Sequence, residues 1–172
     1  LEDAAIREGL MQMEQNDPRM VEDAVNRANG NFSMALQTMR NDEMELHHFE
    51  LFTEVMRLCY ARDIIEINGW VERVAGSGRE RQKQLIDYSL RLLRENFVLH
   101  MDNESLNYMS AKEAAFSTRF SPFIHGGNVH ALAEAFTLAG NHIEANGNAR
   151  IILMDLSIGV IKLLMQKAPS AS

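Results

Sequence analysis

The chain is poor in residues that interrupt helices and in those that staple or metallate small folds. Across 172 residues it has three prolines, ten glycines, one tryptophan and one cysteine. The single Cys59 excludes an internal disulfide framework and a multi-cysteine zinc site; such usage fits a reducing compartment, and a cytoplasmic location is expected. A Gly-x-x-x-x-Gly-Lys-Ser/Thr phosphate loop is missing as well, since Gly76-Ser77-Gly78-Arg79 has neither its spacing nor a preceding strand. The most apolar segment, Ile151 to Met165, is fifteen residues long and carries Asp155 and Lys162, so it is too short to span a bilayer and no membrane partner is expected. Nor is there a basic excess: the net charge of −7 argues against a broad electrostatic grip on nucleic acid, which needs clustered Lys and Arg. Asn31-Phe32-Ser33 and Asn103-Glu104-Ser105 match the glycosylation pattern by chance, given no signal peptide.

What is present favours helices. At 46% hydrophobic and 24% charged residues the composition is that of a globular protein, with length for one good core or two small ones. Eleven methionines suit the irregular gaps between packed helices, and an all-α fold is expected. Leu1 opens in mid-helix pattern without an initiator methionine, which suggests a piece of a longer protein.

The periodicity predicts a first helix over Asp3 to Gln15 with Ile6, Leu10 and Met13 inward, and Asn16-Asp17-Pro18 then caps a second helix running to about Ala28. Met20, Val21, Ala24, Val25 and Ala28 form its apolar stripe. Gly30 can take the left-handed conformation that stops a helix, and Asn31 or Ser33 can cap the next one, which carries Ala35, Leu36 and Met39 to about Arg40. Three short helices make a thin core that needs a neighbour. Asn41-Asp42 is the expected junction.

A long helix with Met44, His48, Leu51, Phe52, Val55, Met56 and Cys59 inward is expected to follow, then one over Asp63 to Ala75 and another over Arg79 to Met101. The basic residues Arg79, Arg81, Lys83, Arg91 and Arg94 on the last of these read as a solvated face. Residues 103–119 read as a helix, and Phe120 to Asn128 as an aromatic turn folded onto the core. Val129, Leu132, Phe136, Ala139 and Ile143 define a further helix, and after Asn146-Gly147-Asn148 the Ile151 to Met165 segment is apolar nearly all round, so it is expected to be central and enclosed.

Two segments carry a family resemblance. Gly30-Asn31-Phe32-Ser33-Met34-Ala35-Leu36 resembles the second-sensor segment in the helical lid of AAA+ clamp-loader subunits, and Ile143 to Leu156 is similar to the closing pattern of their collar domains. The order and spacing point to the delta-prime branch of the bacterial DNA polymerase III clamp-loader family. The resemblance implies a lid remnant in 1–40 and a helical collar in 43–166. Lids that sense nucleotide usually place an arginine two residues before Ala-Leu; here that position is Ser33, which cannot make a bidentate phosphate contact, and Arg27 and Arg40 lie one or two turns away. By resemblance, then, this chain is a non-catalytic part of an assembly whose clamp loading is driven by ATP hydrolysis elsewhere. It would have no catalytic, cofactor-binding or metal-binding residues of its own. Its partners would be the other clamp-loader subunits in a hetero-pentameric ring, with the sliding clamp and primed DNA met only indirectly.

Other chemistry is thin. Glu45-Leu46-His47-His48 places a carboxylate and an imidazole at i and i+3, but a di-iron bundle needs a second Glu-x-x-His and two further glutamates. His48 therefore reads as a core-edge histidine, and His125 and His130 as structural or exposed. The alternative from another class is a helical ligand-binding or regulatory module, with Trp70, Phe120 and Phe123 around a small-molecule pocket. A bundle enzyme ranks third. With Ser33 in the sensor position and no phosphate loop, calorimetric titration with magnesium-ATP is expected to give no binding heat; micromolar, magnesium-dependent binding would contradict this reading.

Overall fold

The computed structural model describes residues 3–12, 17–28, 30–101 and 109–170. Among them it is all-helical, with eight α-helices and one short 3-10 turn. The chain divides into two compact units, Leu1–His47 and His48–Ser172.

The first unit holds α1 (Asp3–Gln12), α2 (Pro18–Ala28) and the opening of α3 (Phe32–Ala61). Asp17 Oδ1 accepts from the Arg19 amide at 2.9 Å and Pro18 takes the first helical position, as the sequence predicts; Asn16, Met13 and Gln15 lie outside the described residues. Gly30 stops α2 with φ +81°, and Asn31 Oδ1 accepts from the Met34 amide at 3.2 Å, so Asn31 rather than Ser33 starts α3. The core is thin: Ile6, Leu10, Val21, Ala24, Val25, Ala28, Ala35 and Met39 are its buried apolar residues. Close approach compensates in part. A Cβ on Gly9 would sit 3.1 Å from the Phe32 ring, so the missing side chain lets that ring lie against α1.

The expected break at Asn41-Asp42 is not made. α3 runs without interruption over thirty residues, and the division between the units falls after His47 inside it. Asn and Asp are only mildly unfavourable inside a helix, by about 0.5–0.7 kcal/mol each against alanine. Asp42 also finds a use there, 3.9 Å from the Arg27 guanidinium.

The second unit contains the rest of α3, then α4 (Ile64–Ala75), α5 (Arg79–His100), α6 (Ala111–Phe120), a 3-10 turn (Ser121–Phe123), α7 (Val129–Glu144) and α8 (Ala149–Leu164). Its buried core runs from Phe52 and Met56 through Ile67, Leu92, Leu93 and Leu132 to Leu153 and Val160. α5 packs along α7, where Gly140 lets the helices close up; a Cβ there would be 3.1 Å from Ile86. α8 lies against α7 and α4. The turn before α8 is the asparagine turn the sequence predicts: Asn146 is left-handed at φ +60°, the Gly147 amide donates to His142 O at 2.8 Å, and Asn148 Oδ1 caps Arg150 and Ile151.

Buried polar groups tie these helices together. Trp70 Nε1 donates to Leu51 O at 3.0 Å, joining α4 to α3, and Gln82 Nε2 reaches Val74 O and Ala75 O at the end of α4. Asn128 is fully buried; its amide donates to Phe123 O at 2.8 Å and Leu163 O at 3.1 Å while its oxygen accepts from His125 N at 3.0 Å.

The helix expected over 103–119 starts later. Met109 and Ser110 are not helical, and Ser110 opens α6 through a capping box in which its hydroxyl accepts from Glu113 N and Glu113 Oε2 accepts from Ser110 N; residues 103–108 lie outside the described residues. Glu113 is buried and also accepts from Tyr88 Oη at 2.7 Å and Arg91 Nη2 at 2.6 Å on α5. Burial pushes its carboxyl upward, but the hydrogen bonds from Arg91, Tyr88 and Ser110 outweigh this and hold it below the ordinary 4.5. Stabilisation from this group is therefore complete above about pH 4.5 and lost as pH falls through the lowered native value. Glu113→Gln is expected to cost about 1–3 kcal/mol at neutral pH and to flatten the acid limb of stability. Urea unfolding at pH 7 and pH 3 checks it; a variant as acid-sensitive as the parent would remove Glu113 from that role.

Candidate functional site

The candidate chemical residues do not gather. Ser33 is exposed on the first turn of α3, and Arg27 is turned to Asp23 and Asp42. Arg40 is exposed. Glu45 is exposed, whereas His48 is buried with its ring 5.8 Å from that of Tyr88, so the Glu-x-x-His pair does not converge on one point. His125 is structural: the Gly127 amide donates to Nδ1 at 3.1 Å, which leaves the proton on Nε2 to be donated to Gln166 O at 3.1 Å. His130 is exposed beside Glu134. Cys59 is buried, its thiol 3.5 Å from Ser157 O, and burial pushes its pKa up to about 12, too high for a nucleophile at neutral pH. Of the α5 cations, Arg79 meets Asn146, Lys83 meets Glu144 and Arg91 meets Glu113, so half or more of that face is engaged within the unit. Among the described residues no group of three or more His, Cys, Asp or Glu is placed to hold a metal ion, and no helix is long and apolar enough to cross a membrane.

Two surfaces of the second unit stand out instead. The first is the outer face of α8. Leu153, Leu156, Ser157, Val160 and Leu164 turn inward, onto the core. The enclosed position expected for this helix is not what forms: Ile151 is 69% exposed, Ile158 40% and Met165 57%. With the half-buried Met154 and Ile161 these residues recur at alternating three- and four-residue intervals, the spacing of a coiled-coil seam. Asp155 and Lys162 are exposed and flank the seam at the positions where paired helices place charges that choose a partner. The reason is arithmetic: only Arg150, Asp155, Ser157 and Lys162 of its sixteen residues are polar, so apolar side chains reach around most of the circumference, and α4, α7 and, at Ser157, α3 cover only part of it. That alternation was legible in the sequence, but it is the exposure that separates it from the core stripe.

The second surface is a cleft of about 590 Å³ between α3 and α6. Phe49, Met56, Phe116, Phe120 and Phe123 form its apolar walls, and Arg57, Lys112 and Arg119 its charged ones. The phenylalanines lock one another: Phe116 stacks on Phe120 at 4.9 Å and meets Phe49 edge-on at 6.0 Å. Phe120 and Phe123 thus share a cleft as the ligand-binding alternative expects, but Trp70 does not line it and is buried on α4 with its N–H on Leu51. Neither Phe116 nor the three cations were singled out from sequence; Lys112 and Arg119 stand two turns apart on a helix whose start was misplaced.

Comparison with protein-family models, curated proteins and solved structures returns no match.

The two faces of α8 make a direct prediction. Leu156→Ala, on the inner face, is expected to cost about 2–5 kcal/mol, whereas Ile158→Ala, on the outer face, is expected to cost less than about 1 kcal/mol. Denaturant unfolding of both variants measures the difference; equal costs would place both residues in the core.

Proposed function

We propose that this chain is a non-catalytic oligomerisation element: a lid remnant and collar of a delta-prime-like clamp-loader subunit, working in DNA replication by holding neighbouring subunits in a ring. The observation that carries the reading is α8, which is apolar on a second face after its core face is satisfied. An exposed apolar seam flanked by charges is a surface made for another helix, because single scattered apolar residues are ordinary but an ordered stripe is not. The lid resemblance adds Gly30 and the polar start of α3, with exposed Ser33 in place of the phosphate-sensing arginine. Other clamp-loader subunits are the partners, the clamp and primed DNA are reached through them, and ATP hydrolysis belongs to those subunits. The cytoplasm is the matching compartment.

A second reading, a helical ligand-binding or regulatory module, is favoured by the aromatic cleft between α3 and α6.

The collar reading is tested by assembly. Ile151→Asp with Ile158→Asp, placed in the full-length protein, is expected to abolish co-elution with the partner clamp-loader subunits while leaving the thermal midpoint within a few degrees. Reversing Asp155 and Lys162 together is expected to weaken co-elution less. Undiminished co-elution of the double aspartate variant would take the seam out of the interface.

A further inference from the structure

From the cleft between α3 and α6 we infer a docking site for an acidic peptide segment that carries bulky apolar side chains, distinct from the α8 seam. Three observations meet there. Its ten lining residues include Arg57, Lys112 and Arg119 and no carboxylate. In a chain of net charge −7 this concentration is unusual, the more so because Arg7, Arg73, Arg91 and Arg150 each face a Glu, while none of these three cations has a carboxylate partner among the described residues. Arg57 instead lies over the Phe116 ring, 5.9 Å from its centroid.

The apolar walls set the second requirement. At about 590 Å³ the cleft is the size of a site for a compact ligand or for apolar anchor side chains. Phe116 and Phe123 are half-buried, and Tyr60, 62% exposed, extends the apolar surface by packing edge-on to Phe123 at 5.0 Å. Filling the cleft would remove this surface from water, the main source of affinity in such grooves.

The spacing of the cations selects among anionic occupants. Lys112 and Arg119 are seven residues apart on α6, roughly 10 Å at about 1.5 Å per residue, and Arg57 faces them from α3. A small anionic head group would leave the apolar walls between these cations uncovered, whereas a peptide with acidic residues on either side of its apolar anchors meets both the charges and the walls. Single-stranded nucleic acid offers dispersed charge too, but it needs free ring faces for its bases, and here Phe116 and Phe120 stack on each other while Phe49 and Phe52 both meet Phe116 in T-shaped contacts.

The probe is a fluorescein-labelled synthetic peptide in which two phenylalanines alternate with aspartates, titrated into the full chain by fluorescence anisotropy at low salt. Saturable binding is expected, about tenfold or more weaker for the same peptide with asparagine in place of aspartate, and weakened by added salt. Lys112→Glu with Arg119→Glu is expected to abolish it, and so is Ala115→Trp, which fills the cleft from an exposed position. All three positions are exposed, so helicity and thermal midpoint should be unchanged in both variants. Failure of the acidic peptide to bind, equal binding of the asparagine peptide, full binding by both variants, or tighter binding of a short oligothymidylate would each overturn the proposal. Assembly through α8 is a separate measurement, and either result can fail without the other.

Discussion

One carboxylate, Glu113, ties α6 to α5. Glu113 closes the first turn of α6 onto Ser110 and at the same time takes hydrogen bonds from Tyr88 and Arg91 on α5. A buried carboxylate with that many donors cannot move without stranding charge, so the register of α6 against α5 is fixed by it. Everything α6 presents follows from that register: Phe116 and Phe120 fall on the aromatic cluster with Phe49 and Phe52, and Lys112 and Arg119 on the cleft. The cation that neutralises Glu113 also lies over the Tyr88 ring at 5.0 Å, so packing and charge are satisfied by one arrangement.

The far end of the unit is organised by an amide instead. Asn128 binds the carbonyl that ends the 3-10 turn and one in the last turn of α8, and His125 adds a second link to Gln166 just beyond that helix. Carbonyls at a helix end need outside donors, and these two side chains supply them. The outward seam of α8 therefore rests on a helix anchored at both ends, by Asn148 and the Arg150–Glu72 pair at its start and by this network at its finish. On the collar reading proposed for this chain, pairing through so fixed a helix would cost little entropy.

Much of this was legible in the residues. The stop at Gly30, the Asp17-Pro18 start, the interruption at 76–78 and the Asn146-Gly147-Asn148 turn are local chemistry, and each forms where its residues dictate; the helix read from Asp63 begins at Ile64, with Asp63 as its cap. Of the inward stripes read from periodicity, Val21, Ala24, Val25 and Ala28 on α2 and Leu132, Phe136, Ala139 and Ile143 on α7 are buried, while Met20 and Val129 at their edges are half-buried. The misreadings share one cause, competition between a local signal and its surroundings. Asn41-Asp42 is a good cap sequence inside a helix with no reason to stop, while Ser110 and Glu113 are a strong start hidden inside a run that looked continuous. On α8 apolar content alone could not divide a core face from a presented one. The cleft was least legible, because it joins residues from Phe49 to Phe123 that only packing brings together.

The unbroken run of α3 has a consequence for how the first unit becomes ordered. Starting a helix is the unfavourable step, since several residues must be fixed for a single hydrogen bond, whereas extending one is nearly neutral. The ladder of α3 passes through His47 and His48, so once the Phe52 to Cys59 portion is fixed in its core, the Phe32 to Arg40 portion can grow from it without a nucleus of its own. The small cluster of alanines and valines around Ile6 and Leu10 then has only α1 and α2 to recruit onto an existing template. A core too thin to initiate folding becomes sufficient when it is asked only to complete it.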